Sequence, residues 1–437
     1  MPAVINRNSL ELMKLFDTPI MTYVDQDGFH SRMKWIPRFV ACRALSSNAA
    51  VATPSGTVGD WFHPRLIRSS WTKGTDYEVV GLSQRLTSGT LTVGTWYKIV
   101  NYVSGDNFTN VGAPRNATGQ WFCATGTTPT KWTNGSTLES HYLGGFWVDM
   151  YLCSANDATQ ASAGSICDGS SGKRNYISAP MKVPICSRNS STLTIVHFRQ
   201  YLKSRFDYGG FLEYGQGASY TGWAGKGGLI TDAHWFELWL WTRINRWLLR
   251  GNTYGFVANN HIPQWHFDPN DIGAIDITLS SAYGASLTGC GNPFWDIPIS
   301  DFCGNRWEFT DGVRLYNGAI YTAGKTINPF TNYSDGYSHG SFINTGLSIS
   351  DVTSLGQSIA SYRTEAVLKV HGIAASTTTA GQGGFDGQGW GYEPSGEMIA
   401  TRGGDCRFGA RCPGALNFYS TVWDYSWFVG ARAVLEP

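Results

Sequence analysis

Charge is scarce in this chain. Charged residues make up only 15% of its 437 positions, against about 25% in an average globular protein. Lys and Arg (33) nearly balance Asp and Glu (32), for a net charge of +1. No basic field exists to draw in nucleic acid or an anionic membrane, so both are set aside as partners. The nine cysteines (42, 123, 153, 167, 186, 290, 303, 406 and 412) contain no CxxC pair and no repeated spacing. That argues against a zinc ribbon or a disulfide-built scaffold, and the odd number leaves one thiol free or paired between chains. The opening residues Met1 to Arg7 lack the charged-then-apolar layout of a signal peptide, so the expectation is a chain made without a secretion signal. The most apolar stretch, Trp235 to Leu249, is broken by Glu237, Arg243 and Arg246 and is not a membrane span. Also missing are a Walker loop, a zinc-protease helix and any long β-helix repeat.

What the chain does have is aromatic residues, 14%, and 52 glycines. At this length it can bury a large core, and the length prior suggests two or three domains. Residues 1–60 carry an apolar helical pattern, Leu10 to Phe16 and then Met33 to Val40, and read as an N-terminal attachment or oligomerisation segment. Ala44 to Gly59 is rich in small residues and reads as a loop. Residues 86–140 shift abruptly to Thr, Gly, Asn and aromatics. Alternating runs, Thr95 to Val100 and Gln120 to Ala124, are punctuated by Gly105, Gly112, Gly119 and Asn134-Gly135, the pattern of a small β module.

Two phrases of that module, Gly105-Asp106-Asn107-Phe108-Thr109-Asn110-Val111-Gly112-Ala113 and Ala124-Thr125-Gly126-Thr127-Thr128-Pro129-Thr130-Lys131-Trp132-Thr133-Asn134-Gly135, resemble a β insert that recurs in phage tail fibres and related virion proteins. Asn107, Asn116 and Asn134 fit the glycosylation sequon; in a phage protein made in bacteria they read as turn residues.

Residues 141–437 read as one α+β unit with few helices. A first helix is expected from Leu193 to Arg205, after Ser190, Ser191 and Thr192 as hydroxyl caps and before Gly209-Gly210. A second is expected from Ala233 to Arg250, with Thr231 and Asp232 accepting hydrogen bonds at its start and Gly251 just past its end. Its apolar residues lie on nearly every side, so it is expected to be buried, with Trp235, Trp239, Trp241 and Trp247 in the core.

Three phrases follow in order within that unit: Gly144-Gly145-Phe146-Trp147-Val148-Asp149-Met150-Tyr151, Cys303-Gly304-Asn305-Arg306-Trp307-Glu308-Phe309-Thr310-Asp311-Gly312, and a tail from Arg402-Gly403-Gly404 to Gly430-Ala431-Arg432. They resemble the landmarks of the C-type lectin fold, in the branch shared by formylglycine-generating enzymes and the receptor-binding proteins diversified by phage retroelements. Trp307 is expected to fill the core, and Asn305 and Glu308 to tie down loops through side-chain to backbone hydrogen bonds. The resemblance implies an α+β fold, two helices around a small twisted antiparallel sheet, with long loops that carry function.

In the phage branch, the segment after the double glycine presents solvent-facing side chains. Carried onto this chain, the receptor-binding positions are Arg407, Phe408, Arg411, Phe418, Tyr419, Trp423, Tyr425 and Trp427. Rigid aromatics with Arg suit recognition of either a protein or a glycan. Cys406 stands where many relatives carry Trp, and Ala431 where they carry Phe. The opposing reading has Val422, Trp427 and Val429 facing inward as a closing strand. The glycine-rich run Gly381 to Tyr392 is either a mobile loop beside this surface or a structural connector.

The implied function is a virion protein of a phage tail fibre or tail tip. It would meet a host cell-surface receptor, sit among other virion proteins and assemble as a homotrimer, with no enzymatic activity and no cofactor. Two alternatives stand beside it, a structural decoration protein and a copper-dependent oxidase. The oxidase branch binds copper(I) through paired cysteines in this tail. Cys406 and Cys412 are six apart, wider than that branch's spacing, and read as a structural disulfide or two unrelated thiols. His261 and His266, with Asp268, Asn270 and Asp271, match no EF-hand loop and read as a polar turn.

Overall fold

Met33 and Trp35 are buried two residues apart in a strand, His30–Ile36, where the sequence suggested a helix. Burial is continuous from Met33 to Ile36, as in a strand covered on both faces, and Pro37 just beyond is poorly suited to continuing a helix. The computed structural model describes residues 20–25, 27–54, 56–80, 82–93, 96–159, 164, 176–185, 194–207, 210–213, 218–220, 225–245, 266–267, 285–286, 299, 302, 306–329, 342–348, 396–403, 416–420 and 429–436. Over these residues the fold is mixed and strand-rich. Leu10 to Phe16, Gly381 to Tyr392 and His261 lie outside them, as do Asp268, Asn270 and Asp271.

Two compact units divide the chain: one is built from Trp35–Phe146, the other from Ile20–Lys34 with Trp147–Pro437. Ile20–Val24 and His30–Ile36 form a hairpin, Ile20 opposite Lys34 and Val24 opposite His30, inside the main sheet of the larger unit.

That sheet has seven strands in the order Ala218–Tyr220, Gly210–Glu213, Ile20–Val24, His30–Ile36, Phe146–Asp149, Ala433–Leu435 and Gly227–Leu229. The last strand of the chain thus lies between Phe146–Asp149 and Gly227–Leu229, antiparallel to both. A second sheet orders Ile343–Ser348, Ala319–Thr322, Trp307–Tyr316, Glu397–Arg402 and Leu416–Ser420, with Val429–Gly430 running parallel to the start of Trp307–Tyr316. The register between Trp307–Tyr316 and Glu397–Arg402 shifts between Thr310 and Arg314. Gly312 sits in that bulge at φ +90°, where a Cβ would come within 2.8 Å of the Gly324 carbonyl oxygen. The bulge leaves the Asp311 amide free of the strand ladder, and it donates to Ile230 O at 2.9 Å.

Three helices are described: α1 (Ser47–Ala50), α2 (Ile195–Ser204) and α3 (Asp232–Ile244). The first interrupts the segment read as loop. At the start of α2 the cap is Thr194, whose amide donates to His197 Nδ1 at 3.2 Å; Ser190, Ser191 and Thr192 lie outside the described residues. Thr231 caps α3 as expected, accepting from the His234 amide. Asp232 does not cap; its carboxylate is taken by Arg402. Trp235 and Trp239 are buried on one side of α3 and Trp241 on another, as an all-round apolar helix requires. Each large apolar side chain so buried stabilises the fold by about 1.5–3 kcal/mol.

The smaller unit has a three-stranded sheet, Trp61–Phe62, Ala41–Ala44 and Tyr77–Val80, and a four-stranded antiparallel sheet, Leu82–Leu86, Thr137–Tyr142, Trp96–Asn101 and Trp121–Cys123. The two recurring phrases of the β module meet in its core. Phe108 packs edge-on against Trp132 at 5.4 Å, and the Asp106 carboxylate accepts from the amides of Thr133, Asn134 and Ser136. Burial opposes ionisation of Asp106, but these hydrogen bonds outweigh it and hold its carboxyl below the usual range. The sequon asparagines are engaged in turns: Asn107 Oδ1 accepts from the Thr109 amide, Asn116 Oδ1 from the Phe108 amide, and Asn134 Nδ2 donates to Ser104 O.

Candidate functional site

The candidate segment, residues 404–428, runs between two strands whose ends are both held by buried ion pairs. At its start, Arg402 donates to both oxygens of Asp232, Nε to Oδ1 at 2.7 Å and Nη2 to Oδ2 at 3.0 Å. Gly403 follows at φ +90°, where a Cβ would lie 3.2 Å from the Trp235 ring. At the far end, Arg432 donates to both oxygens of Glu308, at 2.6 and 2.5 Å, and through Nη1 to Asp149 O at 3.1 Å. Its guanidinium carbon lies 5.7 Å from the centroid of the same Trp235 ring. One tryptophan of α3 therefore contacts both ends of the segment. Bidentate Arg–carboxylate pairs fix direction as well as distance.

The pairs extend into a network. Asp149 Oδ2 accepts from the Ala433 amide at 2.9 Å, and its carboxylate takes both hydrogen bonds of Arg205 Nη2, at 3.0 and 2.8 Å. Arg205 Nη1 continues to Ser31 Oγ and Tyr176 O. The three phrases singled out in the sequence thus converge: Asp149 from the first, Glu308 from the second and Arg432 from the third meet in one interior cluster. Trp307 is buried as expected. Glu308 pairs with Arg432; Asn305 lies outside the described residues.

Of the sequence-derived site residues, Phe418 and Tyr419 fall in the strand Leu416–Ser420, which pairs with Glu397–Arg402 through Arg402 opposite Leu416 and Thr401 opposite Asn417. Their side chains lie outside the described residues, as do Arg407, Phe408, Arg411, Trp423, Tyr425 and Trp427. Val429 is buried, as the inward-facing reading expected of it; Val422 and Trp427 lie outside the described residues, as do Cys406, Cys412 and Trp247. Sequence reasoning missed the clamp residues Asp149, Arg205, Asp232, Arg402 and Arg432. Their signal is charge standing inside apolar runs of a charge-poor chain, as in Phe146-Trp147-Val148-Asp149.

Among the described residues, no group of three or more His, Cys, Asp or Glu side chains could hold a metal ion, and no helix is long and apolar enough to cross a membrane. The thiols of Cys42 and Cys153 are buried, and burial pushes both well above the usual thiol range. His234 is buried against Thr231 Oγ1 and Glu436 Oε1, at 2.7 and 3.0 Å, where it ties the end of the chain to α3. No family model matches the chain, and no curated protein matches it.

Proposed function

We propose that this chain is a phage virion protein, of tail-fibre or tail-tip type, with a C-type lectin-like scaffold. It recognises a host cell-surface receptor through the segment 404–428. The observation that supports the reading is the double clamp on Trp235. Arg402 at one end and Arg432 at the other are held by buried pairs to Asp232 and Glu308, and Gly403 packs beside the Trp235 ring. A segment tethered in this way can vary in sequence while its ends stay fixed, which is the requirement of a binding loop on a rigid frame. Its Arg407, Phe408, Tyr419 and Trp423 supply the side-chain types that dominate binding hot spots. A closed homotrimer is the assembly expected of a virion fibre, and repetition makes weak single sites sufficient.

The test is the variant carrying Phe408→Ala, Tyr419→Ala and Trp423→Ala. Adsorption of the protein to host cells is lost, while its melting temperature stays nearly that of the parent. Unimpaired adsorption rejects this segment as the receptor-binding surface.

A further inference from the structure

The geometry points to a second binding site: a cleft in the unit Trp35–Phe146 that takes an acidic saccharide, a sugar chain bearing carboxylate or phosphate groups. The cleft has a volume of about 400 Å3 and gathers Arg65, Arg68 and Arg115 from two stretches of chain some fifty residues apart, with Ile67, Ser69 and Gln120 between them. No Asp or Glu lines it. In a chain whose net charge is +1, three arginines lining one concavity make a local positive field that attracts anions.

Two of these arginines are anchored by side-chain contacts, and the third by its backbone. Arg68 lies over the Trp71 ring at 5.6 Å, and Trp71 packs edge-on against the buried Phe62 at 5.8 Å. Arg115 Nε donates to Gln120 Oε1 at 2.9 Å, which sets the plane of its guanidinium. The amide of Arg65 donates to His63 Nδ1 at 3.1 Å, holding the turn Pro64–Leu66 that carries it. Tethered arginines lose less entropy on binding, and their forks match carboxylate and phosphate oxygens in pairs.

The volume lies in the range of sites for small organic ligands, so one inorganic anion would leave most of it unfilled. Pro64 and Ile67 give the apolar wall against which the carbon face of a sugar ring rests. A single cleft, rather than a basic stripe, does not suit the repeating phosphates of a nucleic acid. This site is independent of the C-terminal segment and stands whether or not that segment binds a receptor.

Titration calorimetry of the full chain against four probes tests it: oligogalacturonate, a phosphomannan oligosaccharide, neutral maltooligosaccharide and oligothymidylate. At least one of the two acidic saccharides binds, and which one does separates a carboxylate ligand from a phosphate ligand. The neutral saccharide does not bind. Arg68→Gln with Arg115→Gln weakens binding at least tenfold with the melting temperature unchanged, and Arg115→Gln alone acts in the same direction. The variant Phe408→Ala, Tyr419→Ala, Trp423→Ala binds the acidic saccharide as the parent does. The proposal is overturned if neither acidic saccharide binds, if the neutral one binds equally, if oligothymidylate binds more tightly than both, or if the arginine variants bind as the parent.

Discussion

Glu308 shows how a single side chain can govern a distant stretch of sequence. It is fully buried, and both its oxygens are occupied by Arg432, 124 positions later in the chain. Removing one partner of such a pair leaves the other charge in the interior without compensation. Glu308→Ala is therefore expected to cost about 3–5 kcal/mol, the range for a broken buried pair, where an exposed pair is worth about 0–1 kcal/mol. Denaturant unfolding measures this, and a cost under about 1 kcal/mol would mean that the pair does not clamp the segment. A second residue couples stability to pH. Burial, with help from Arg65, lowers the pKa of His63 from 6.5 to about 4. The folded chain keeps this ring neutral while the unfolded chain protonates it at its ordinary value. Its contribution is thus fully present above about pH 6.5 and is lost as pH falls toward about 4. His63→Asn is expected to flatten the decline of melting temperature between pH 7 and pH 5 relative to the parent. Parallel curves for the two proteins would show that the ring does not titrate in this way.

At the scale of elements, legibility followed how local the determining physics is. The helix α3 could be read because an all-round apolar surface and a Thr cap are written within about fifteen consecutive residues. The β module could be read because its turns carry their own signals, Gly105-Asp106-Asn107 and Asn134-Gly135, and Asp106 joins the two turns directly. The strand His30–Ile36 was misread because it is buried on both faces along its second half. Such a run carries no alternation to distinguish it from an apolar helix. The end phrases of the candidate segment, Arg402-Gly403 and Gly430-Ala431-Arg432, stood out in the sequence, but the buried pairs that hold them did not. Asp232 was assigned to a helix cap because capping is local. Its partner, Arg402, lies 170 residues away, and sequence spacing carries no trace of such a contact. The arginine cleft escaped for the same reason: Arg65 and Arg68 are close in sequence, while Arg115 joins them only through the fold.

For the whole molecule, the path of the chain decides what can be removed. Residues Trp35–Phe146 leave and re-enter on neighbouring strands of the seven-stranded sheet, His30–Ile36 and Phe146–Asp149. Just beyond those strands, Gly145 donates to Ile36 O at 2.8 Å, and Phe39 and Leu143 exchange both backbone hydrogen bonds, at 2.9 and 2.8 Å. A doubly bonded antiparallel pair is the frame that a two-residue hairpin closes, with Asn-Gly as the favoured loop. The seven-stranded sheet and the Asp149, Asp232 and Glu308 pairs use no residue between Val40 and Tyr142. A chain in which Asn-Gly replaces Val40 to Tyr142 is therefore expected to fold, keeping a cooperative thermal transition and a native near-ultraviolet circular dichroism spectrum. It should adsorb to host cells as the parent does and lose binding to the acidic saccharide, because the two proposed sites draw on separate units. An aggregated or unfolded product would show that the larger unit depends on the smaller for its stability. A folded product that still bound the saccharide would remove the arginine cleft from consideration and leave the C-terminal segment untouched.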